Sequence, residues 1–246
     1  LPMAYAATFG GVCTLVGTST NLIVNGLLIE ATGSGMKMFD LTWVGLPCAL
    51  AAIAFLKTRG PALGVDPRRL VLLGRSAGGQ IAQSVAYSAP DPAIVGVVAF
   101  YAPSDLIFGY VNTHENDMLR SPTLMRQLLG GPPDRERAAY ESASPIFHVT
   151  PDAPLTLLLH GVNDSIAWHR HSERLAERLA AQGVPHLNLL LPWATHAFDF
   201  NLRGPGGQLT RYALAWYLAR VTEPKGTKTQ DLDTELRGSR QENNEA

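Results

Sequence analysis

The sequence carries the hexapeptide Gly74-Arg75-Ser76-Ala77-Gly78-Gly79 between a strand-like run at residues 69–73 and a helix-like run at residues 80–86. This order predicts a strand, a sharp turn and a helix. Such a turn strains the backbone of the serine and exposes its hydroxyl above the sheet. Glycines on both sides leave room where the chain passes close to itself. Ser76 is therefore a candidate nucleophile.

The composition is that of a folded domain with almost no net charge. The 246 residues are 46% hydrophobic, which is enough for a core, and the formal net charge of −1 gives no basis for binding nucleic acid. Cys13 and Cys48 have no metal-binding spacing, so we expect no metal site at these cysteines. The chain starts at Leu1 without a signal-like segment, which suggests a fragment of a longer protein.

Strand-like and helix-like segments alternate through most of the chain. Apolar runs predict strands at residues 69–74, 94–100, 155–160 and 187–191. Helices are predicted at residues 49–59, 77–88, 116–129, 134–140, 168–182 and 208–220. This alternation predicts an α/β fold with a mostly parallel sheet of about four recognisable strands and flanking helices. The polar stretch at residues 223–246 predicts a disordered tail.

Three polar residues follow the carboxyl ends of three predicted strands, in the order Ser76, Asp164 and His196. Sites in parallel sheets lie at that edge. A serine hydroxyl needs a nearby base, and an imidazole needs a carboxylate to fix its tautomer. The order therefore predicts Ser76 as nucleophile, His196 as base and Asp164 as the acid that orients it. The backbone N–H of Ala77 would be one oxyanion donor.

Each of these residues also has a plain structural alternative. Ser76 could cap a helix, Asp164 could form a turn beside Asn163, and His196 could be an ordinary loop histidine. Two further acids lie close in sequence. We expect Asp105 to hold the loop after the second strand, and Asp199 to cap a helix or form a salt bridge.

Residues 52–222 resemble the carboxyl-terminal part of an α/β-hydrolase of the esterase/lipase type. The resemblance is carried by residues 64–70, by the hexapeptide, by Ser144-Pro145-Ile146, by residues 160–164 and by His196-Ala197-Phe198. The Ser-Ala-Gly-Gly turn is similar to that of hormone-sensitive-lipase-like and feruloyl-esterase-like enzymes. The resemblance implies hydrolysis of small-molecule carboxylic esters without a cofactor.

The chain departs from this family in two respects. Such hydrolases have more strands than the four recognisable here, so we expect a truncated fold in which the strand ending at Gly74 has an open apolar edge. The HGGG-type loop that supplies the second oxyanion donor is missing from the sequence. We therefore expect weak or absent activity.

The first 56 residues differ in character from the rest, with Glu30, Lys37 and Asp40 as their only charged side chains. Residues 1–52 resemble part of the divalent-anion/sodium symporter family, carried by Gly10-Gly11, residues 14–22 and residues 44–47. This predicts an apolar, helical or membrane-like segment that contacts a membrane through residues 1–56. It also predicts that a transporter fragment is joined to a hydrolase fragment near residues 47–56.

These patterns divide the chain into residues 1–52, 53–222 and 223–246. We expect a cytoplasmic protein, or a membrane-associated one if the first segment inserts. The leading interpretation is a serine hydrolase with a small-molecule ester substrate. The alternatives are a fragment of a sodium-coupled anion transporter, a serine peptidase of the prolyl-oligopeptidase type and a non-catalytic interaction module.

Overall fold

The computed structural model describes residue 30, residues 42–117 and residues 119–222. Its helices are α1 (Thr42–Arg59), α2 (Ala77–Ser88), α3 (Leu106–Asn112), α4 (Ser121–Leu129), α5 (Arg137–Ala143), α6 (Arg170–Ala181) and α7 (Pro205–Thr222). Its strands are β1 (Leu70–Arg75), β2 (Ile94–Phe100), β3 (Leu155–Gly161) and β4 (His186–Leu191). Each predicted strand is confirmed to within one residue at either end.

The strands form one sheet in the order β1-β2-β3-β4, and every neighbouring pair is parallel. Helices lie between consecutive strands along the chain, as parallel pairing requires. Within the described residues, β1 and β4 are the edge strands of this sheet. The predicted α/β fold with a mostly parallel sheet and flanking helices is therefore confirmed.

The core lies on both faces of the sheet, because successive side chains of β2 point to opposite sides. Val97 and Ala99 pack in a cluster with residues of α2 and α6, including Leu175 and Leu179. Val98 and Phe100 pack in a second cluster with residues of α7. Near-complete burial of these positions explains why β2 reads as a continuous apolar run.

Helix α7 is joined to the sheet by a buried tyrosine as well as by apolar packing. The Tyr217 hydroxyl lies 2.5 Å from the carbonyl oxygen of Leu155 and 3.2 Å from that of Val97. Burial is the main reason that the pKa of this phenol lies above its ordinary value, so the hydroxyl keeps its proton and remains a donor. This contact fixes α7 across β2 and β3.

The predicted helices after β2 need correction. The sequence interpretation placed no helix at residues 106–112 and began the next one at residue 116, whereas α3 occupies the first range and α4 begins at Ser121. Helix α3 is short, and it begins where Asp105 Oδ1 accepts a hydrogen bond of 2.9 Å from the Phe108 N–H. This cap is the sequence signal that had been overlooked.

The membrane-like segment preceding the hydrolase part is not supported. Residues 1–29 and 31–41 lie outside the described residues, as does the predicted tail at residues 223–246. Among the described residues, no helix has both the length and the apolar character that a bilayer span requires. Helix α1 starts before residue 49, where the sequence interpretation began it, and it runs across the predicted domain boundary between residues 52 and 53. That boundary stays a prediction.

Candidate active site

Ser76 occupies the turn between β1 and α2. Its φ of 52° lies in the left-handed region, which is strained for a residue with a side chain. Its N–H donates a 2.9 Å hydrogen bond to the Phe100 carbonyl, which ties the turn to the end of β2. A Cβ on Gly74 would collide with the Gly78 carbonyl, so a side chain at residue 74 is incompatible with this turn.

The loops after β3 and β4 are joined by backbone hydrogen bonds. The Asn163 N–H donates to the Ala194 carbonyl at 3.0 Å, and the Val162 N–H donates to the Leu191 carbonyl at 2.9 Å. Gly161 permits this approach, because a Cβ there would collide with the Ala194 carbonyl. The loop that carries Asp164 therefore lies directly against the loop that carries His196.

The three residues singled out from the sequence lie in one line of hydrogen bonds. Asp164 Oδ2 accepts from His196 Nδ1 at 2.7 Å, and His196 Nε2 lies 3.1 Å from Ser76 Oγ. Asp164 is buried, whereas His196 and Ser76 are partly exposed. Ser76 holds the N-cap position of α2, but its side chain makes no capping hydrogen bond. Ser76 Oγ is thus free to donate to the imidazole.

The surroundings of Asp164 keep it ionised. Burial alone would raise the pKa of this carboxyl, but hydrogen bonds from His160 and His196 outweigh that effect and hold the pKa well below its usual range. Its other oxygen, Oδ1, accepts from the N–H groups of Ile166 and Ala167 at 2.8 and 2.9 Å. The carboxylate is therefore charged and fixed on the imidazole at neutral pH.

His160 is a partner of Asp164 that the sequence interpretation missed. It had been set aside because it lacks the position of a base, which the structure bears out, since its ring is fully buried. His160 Nε2 lies 3.4 Å from Asp164 Oδ2 and donates to the Ala167 carbonyl at 2.8 Å, while Nδ1 accepts from Ser172 Oγ at 2.6 Å. The spacing of four residues between His160 and Asp164 was the available signal.

A second overlooked group lies on the other side of His196. The Tyr101 ring centroid is 4.4 Å from that of His196, and Tyr101 follows β2 with a φ of 37°. Its hydroxyl donates to Asp199 Oδ1 at 2.7 Å, and Arg75 Nε donates to Asp199 Oδ2 at 2.5 Å. Asp199 thus forms the salt bridge expected for it. Tyr101 could have been suspected because it also lies at the carboxyl end of a strand.

The remaining predicted residues have the following positions. Ala77 is the first residue of α2, where backbone N–H groups have no partner within the helix. Asp105 caps α3 and also accepts from Arg174 Nη2 at 2.8 Å, so it has the structural role expected for it. Among residues 42–117 and 119–222, no group of three histidine, cysteine or acidic side chains is placed to hold a metal ion.

Several known proteins share this architecture or parts of this sequence. The "Probable carboxylic ester hydrolase LipM" of Mycobacterium tuberculosis is 29% identical over 182 residues, which is 69% of this chain and 41% of that protein. A "Truncated form of carbohydrate esterase from gut microbiota" superposes with a TM-score of 0.60 at 19% identity, over 75% of this chain and 70% of that one. The second likeness concerns the fold alone.

Shorter matches confirm the likeness to sodium-coupled anion transporters: the "Probable sodium/sulfate cotransporter 3" of Chlamydomonas reinhardtii is 38% identical over 63 residues, which is 23% of this chain and 7% of that protein. The "Uncharacterized transporter sll0640" of Synechocystis sp. is 36% identical over 63 residues, which is 26% of this chain and 10% of that protein. The chain also spans less than half the length of the mycobacterial esterases it matches. Whatever a whole relative does is therefore not transferred to this chain by similarity alone.

The family model named BD-FAE matches residues 49–179, which is more than half of the chain. The match covers the Ser76 turn and the Asp164 loop and extends into α6. With the parallel sheet and its neighbours among esterase structures, this match makes the chain a member of the BD-FAE family, with an α/β-hydrolase fold of the esterase type.

Proposed function

We propose that this chain is a serine hydrolase of carboxylic esters, with Ser76 as nucleophile, His196 as base and Asp164 as the acid. The observation that carries the proposal is the continuous path from Asp164 Oδ2 through the imidazole to Ser76 Oγ, with contacts of 2.7 and 3.1 Å. Both distances are within hydrogen-bonding range, and the contact of 3.1 Å is short enough for the Ser76 proton to pass to His196. The BD-FAE family match and the esterase relatives favour an ester as the substrate.

The proposed reaction has two halves. Ser76 Oγ attacks the ester carbonyl carbon while its proton passes to His196 Nε2. The imidazolium then gives this proton to the departing alkoxide, which leaves an acyl group on Ser76. Water attacks the acyl carbon while His196 Nε2 takes its proton. The bond from this carbon to Ser76 Oγ then breaks, Oγ takes the proton from the imidazolium, and the carboxylic acid is released. Asp164 stabilises the imidazolium in both halves by accepting from Nδ1.

The carbonyl oxygen becomes negatively charged at each attack. The N–H of Ala77 is the donor that we propose for this oxyanion, because it begins α2 next to Ser76. The positive end of the α2 dipole favours the same charge. The sequence contains no HGGG-type loop to supply a second donor. We therefore expect turnover to be about 10²–10³-fold slower than with both donors in place.

The experiment is hydrolysis of 4-nitrophenyl acetate by the full 246-residue chain. We expect measurable release of nitrophenol that Ser76→Ala abolishes. Ser88→Ala is the matched control, because Ser88 is an exposed serine at the other end of the same helix. Ser88→Ala should retain the wild-type rate. An active Ser76→Ala variant would refute the proposal, and so would a wild-type chain that neither releases nitrophenol nor is labelled at Ser76 by a fluorophosphonate.

Comparing this ester with the 4-nitroanilide of the same acyl group distinguishes an esterase from a peptidase. We expect the ester to be cleaved and the anilide to remain intact. Preferential cleavage of the anilide would favour a peptidase instead. Transport is not proposed, because the matched segment corresponds to 10% of the Synechocystis transporter.

A further inference from the structure

A buried carboxylate joins three loops around the candidate site. Asp199 is 1% exposed and lies three residues after His196. It accepts hydrogen bonds from Arg75, which precedes Ser76, and from Tyr101, which follows β2. One side chain therefore connects the turn of the nucleophile, the end of the neighbouring strand and the loop of the base.

The protons in this cluster are fixed by its charges. Burial is the main reason that the pKa of Tyr101 lies well above its ordinary value, and the nearby Asp199 carboxylate raises it further. The phenol therefore keeps its proton and remains a donor to Asp199. The Arg75 guanidinium balances the buried negative charge, which would otherwise be costly.

This arrangement holds the Tyr101 ring beside His196. The Tyr101 ring lies with its centroid 4.4 Å from the imidazole centroid, at an interplanar angle of 56°. Asp164 and Ser76 contact the two ring nitrogens, so these contacts and the Tyr101 ring restrain the imidazole from different directions.

We propose that Tyr101 is a positioning residue for His196 and that the Asp199–Arg75 pair holds it in place. The proposal deepens the hydrolase function above and rests on it. Tyr101 acts through its ring, which restrains the imidazole, and through its hydroxyl, which fixes the ring. Arg75 stabilises the conformation of the site through its salt bridge to Asp199.

Three variants test the proposal. Tyr101→Phe retains the ring and removes the hydrogen bond to Asp199, while Tyr101→Leu removes both. Tyr87→Phe is the matched control, because it also removes a buried tyrosine hydrogen bond, of 2.9 Å to Thr156 Oγ1. Tyr87 belongs to the core cluster formed with α2 and α6, which includes no residue of the triad.

The measurements are kcat and KM for 4-nitrophenyl acetate, with kcat expressed per site titrated by a fluorophosphonate, so that misfolded protein does not count. We expect Tyr101→Phe to lower kcat severalfold and Tyr101→Leu to lower it by up to about a hundredfold, because displacement of a reacting group costs that much. KM should change by less than about twofold, since substrate binding is left intact. Tyr87→Phe should keep the wild-type kcat even if its melting temperature falls.

The outcomes separate this proposal from the function on which it rests. If the wild type is labelled and active but both Tyr101 variants keep its kcat, the role of Tyr101 is wrong and the hydrolase function stands. An equal loss of kcat in Tyr87→Phe would also overturn it, because general destabilisation would then explain the effect. A lower kcat in Tyr101→Leu but not in Tyr101→Phe would overturn the role assigned to the hydrogen bond between Tyr101 and Asp199. A wild type that is neither labelled nor active would overturn both proposals together.

Discussion

Asp164 divides its two oxygens between two tasks. Oδ1 accepts from two backbone N–H groups of its own loop, and Oδ2 accepts from His196 Nδ1. The two backbone hydrogen bonds orient the carboxylate, and the hydrogen bond from His196 sets the tautomer of the imidazole. With the proton on Nδ1, the other nitrogen is left with a lone pair toward Ser76, which is the arrangement that a base needs.

Asp164→Asn tests this division. The amide can keep Oδ1 in its place, but its NH2 group would then face His196 Nδ1 and force the ring proton onto Nε2. That nitrogen could no longer accept the Ser76 proton, so we expect kcat for 4-nitrophenyl acetate to fall by about 10³–10⁴. Asp152→Asn, at an exposed turn position, is the control and should leave kcat unchanged. Equal rates for the two variants would show that Asp164 is not the acid.

At the scale of secondary-structure elements, the site depends on how closely β1 and α2 approach at the Ser76 turn. A Cβ on Gly74 would collide with the backbone of Gly78, and a Cβ on Gly79 would lie 2.7 Å from the Ala102 Cβ. Backbone atoms cannot move aside as the end of a flexible side chain can. The turn therefore has little room for any side chain at these glycines.

Gly74→Ala should disrupt this turn. We expect the free energy of unfolding to fall by about 3 kcal/mol or more, because the new methyl group meets backbone atoms of α2. Gly60→Ala is the control, since a Cβ there would have its nearest neighbour, Val65 O, at 3.4 Å. Urea unfolding followed by circular dichroism measures both. A Gly74→Ala variant as stable as Gly60→Ala would mean that the turn is looser than described.

The sequence predicted the elements that have a strong local pattern. Continuous apolar runs gave the strands, and the strand order in the chain placed Ser76, Asp164 and His196 at one edge of the sheet. Helix α3 was missed because it is short and its signal is a single cap at Asp105. Tyr101 and Asp199 could not be paired from sequence, because 98 residues separate them and only the tertiary fold brings them together.

For the molecule as a whole, His171 is a buried link between α6 and the loop after β2. Its Nδ1 accepts weakly from the N–H groups of Ser104 and Asp105, both at 3.4 Å, and its carbonyl accepts from Ser104 Oγ at 2.6 Å. Burial lowers the pKa of His171 to about 4, and the nearby His160 contributes to the shift. Folding therefore favours the neutral imidazole.

This shift makes stability depend on pH. Between pH 6.5 and about 4, the unfolded chain binds a proton at His171 that the folded chain does not. The contribution of His171 to stability is therefore fully present above pH 6.5 and is lost as the pH falls toward 4. The shift corresponds to a loss of about 3 kcal/mol across this window. Urea unfolding at pH 7 and pH 4.5 measures this loss in the free energy of unfolding. We expect a smaller loss for His171→Asn than for the wild type, because Oδ1 of the asparagine can accept the hydrogen bonds made by Nδ1 and does not bind a proton in this range. An equal loss in both proteins would mean that His171 does not set the dependence.

The central claim is that Ser76 is a nucleophile activated by His196, and covalent labelling tests it most directly. The full chain would be treated with a fluorophosphonate, digested, and examined by mass spectrometry. The account predicts a single phosphonylated residue, Ser76, with labelling lost in His196→Ala and retained in Ser88→Ala. An unlabelled Ser76 in folded protein, or labelling of Ser76 that is equally fast in His196→Ala, would contradict it.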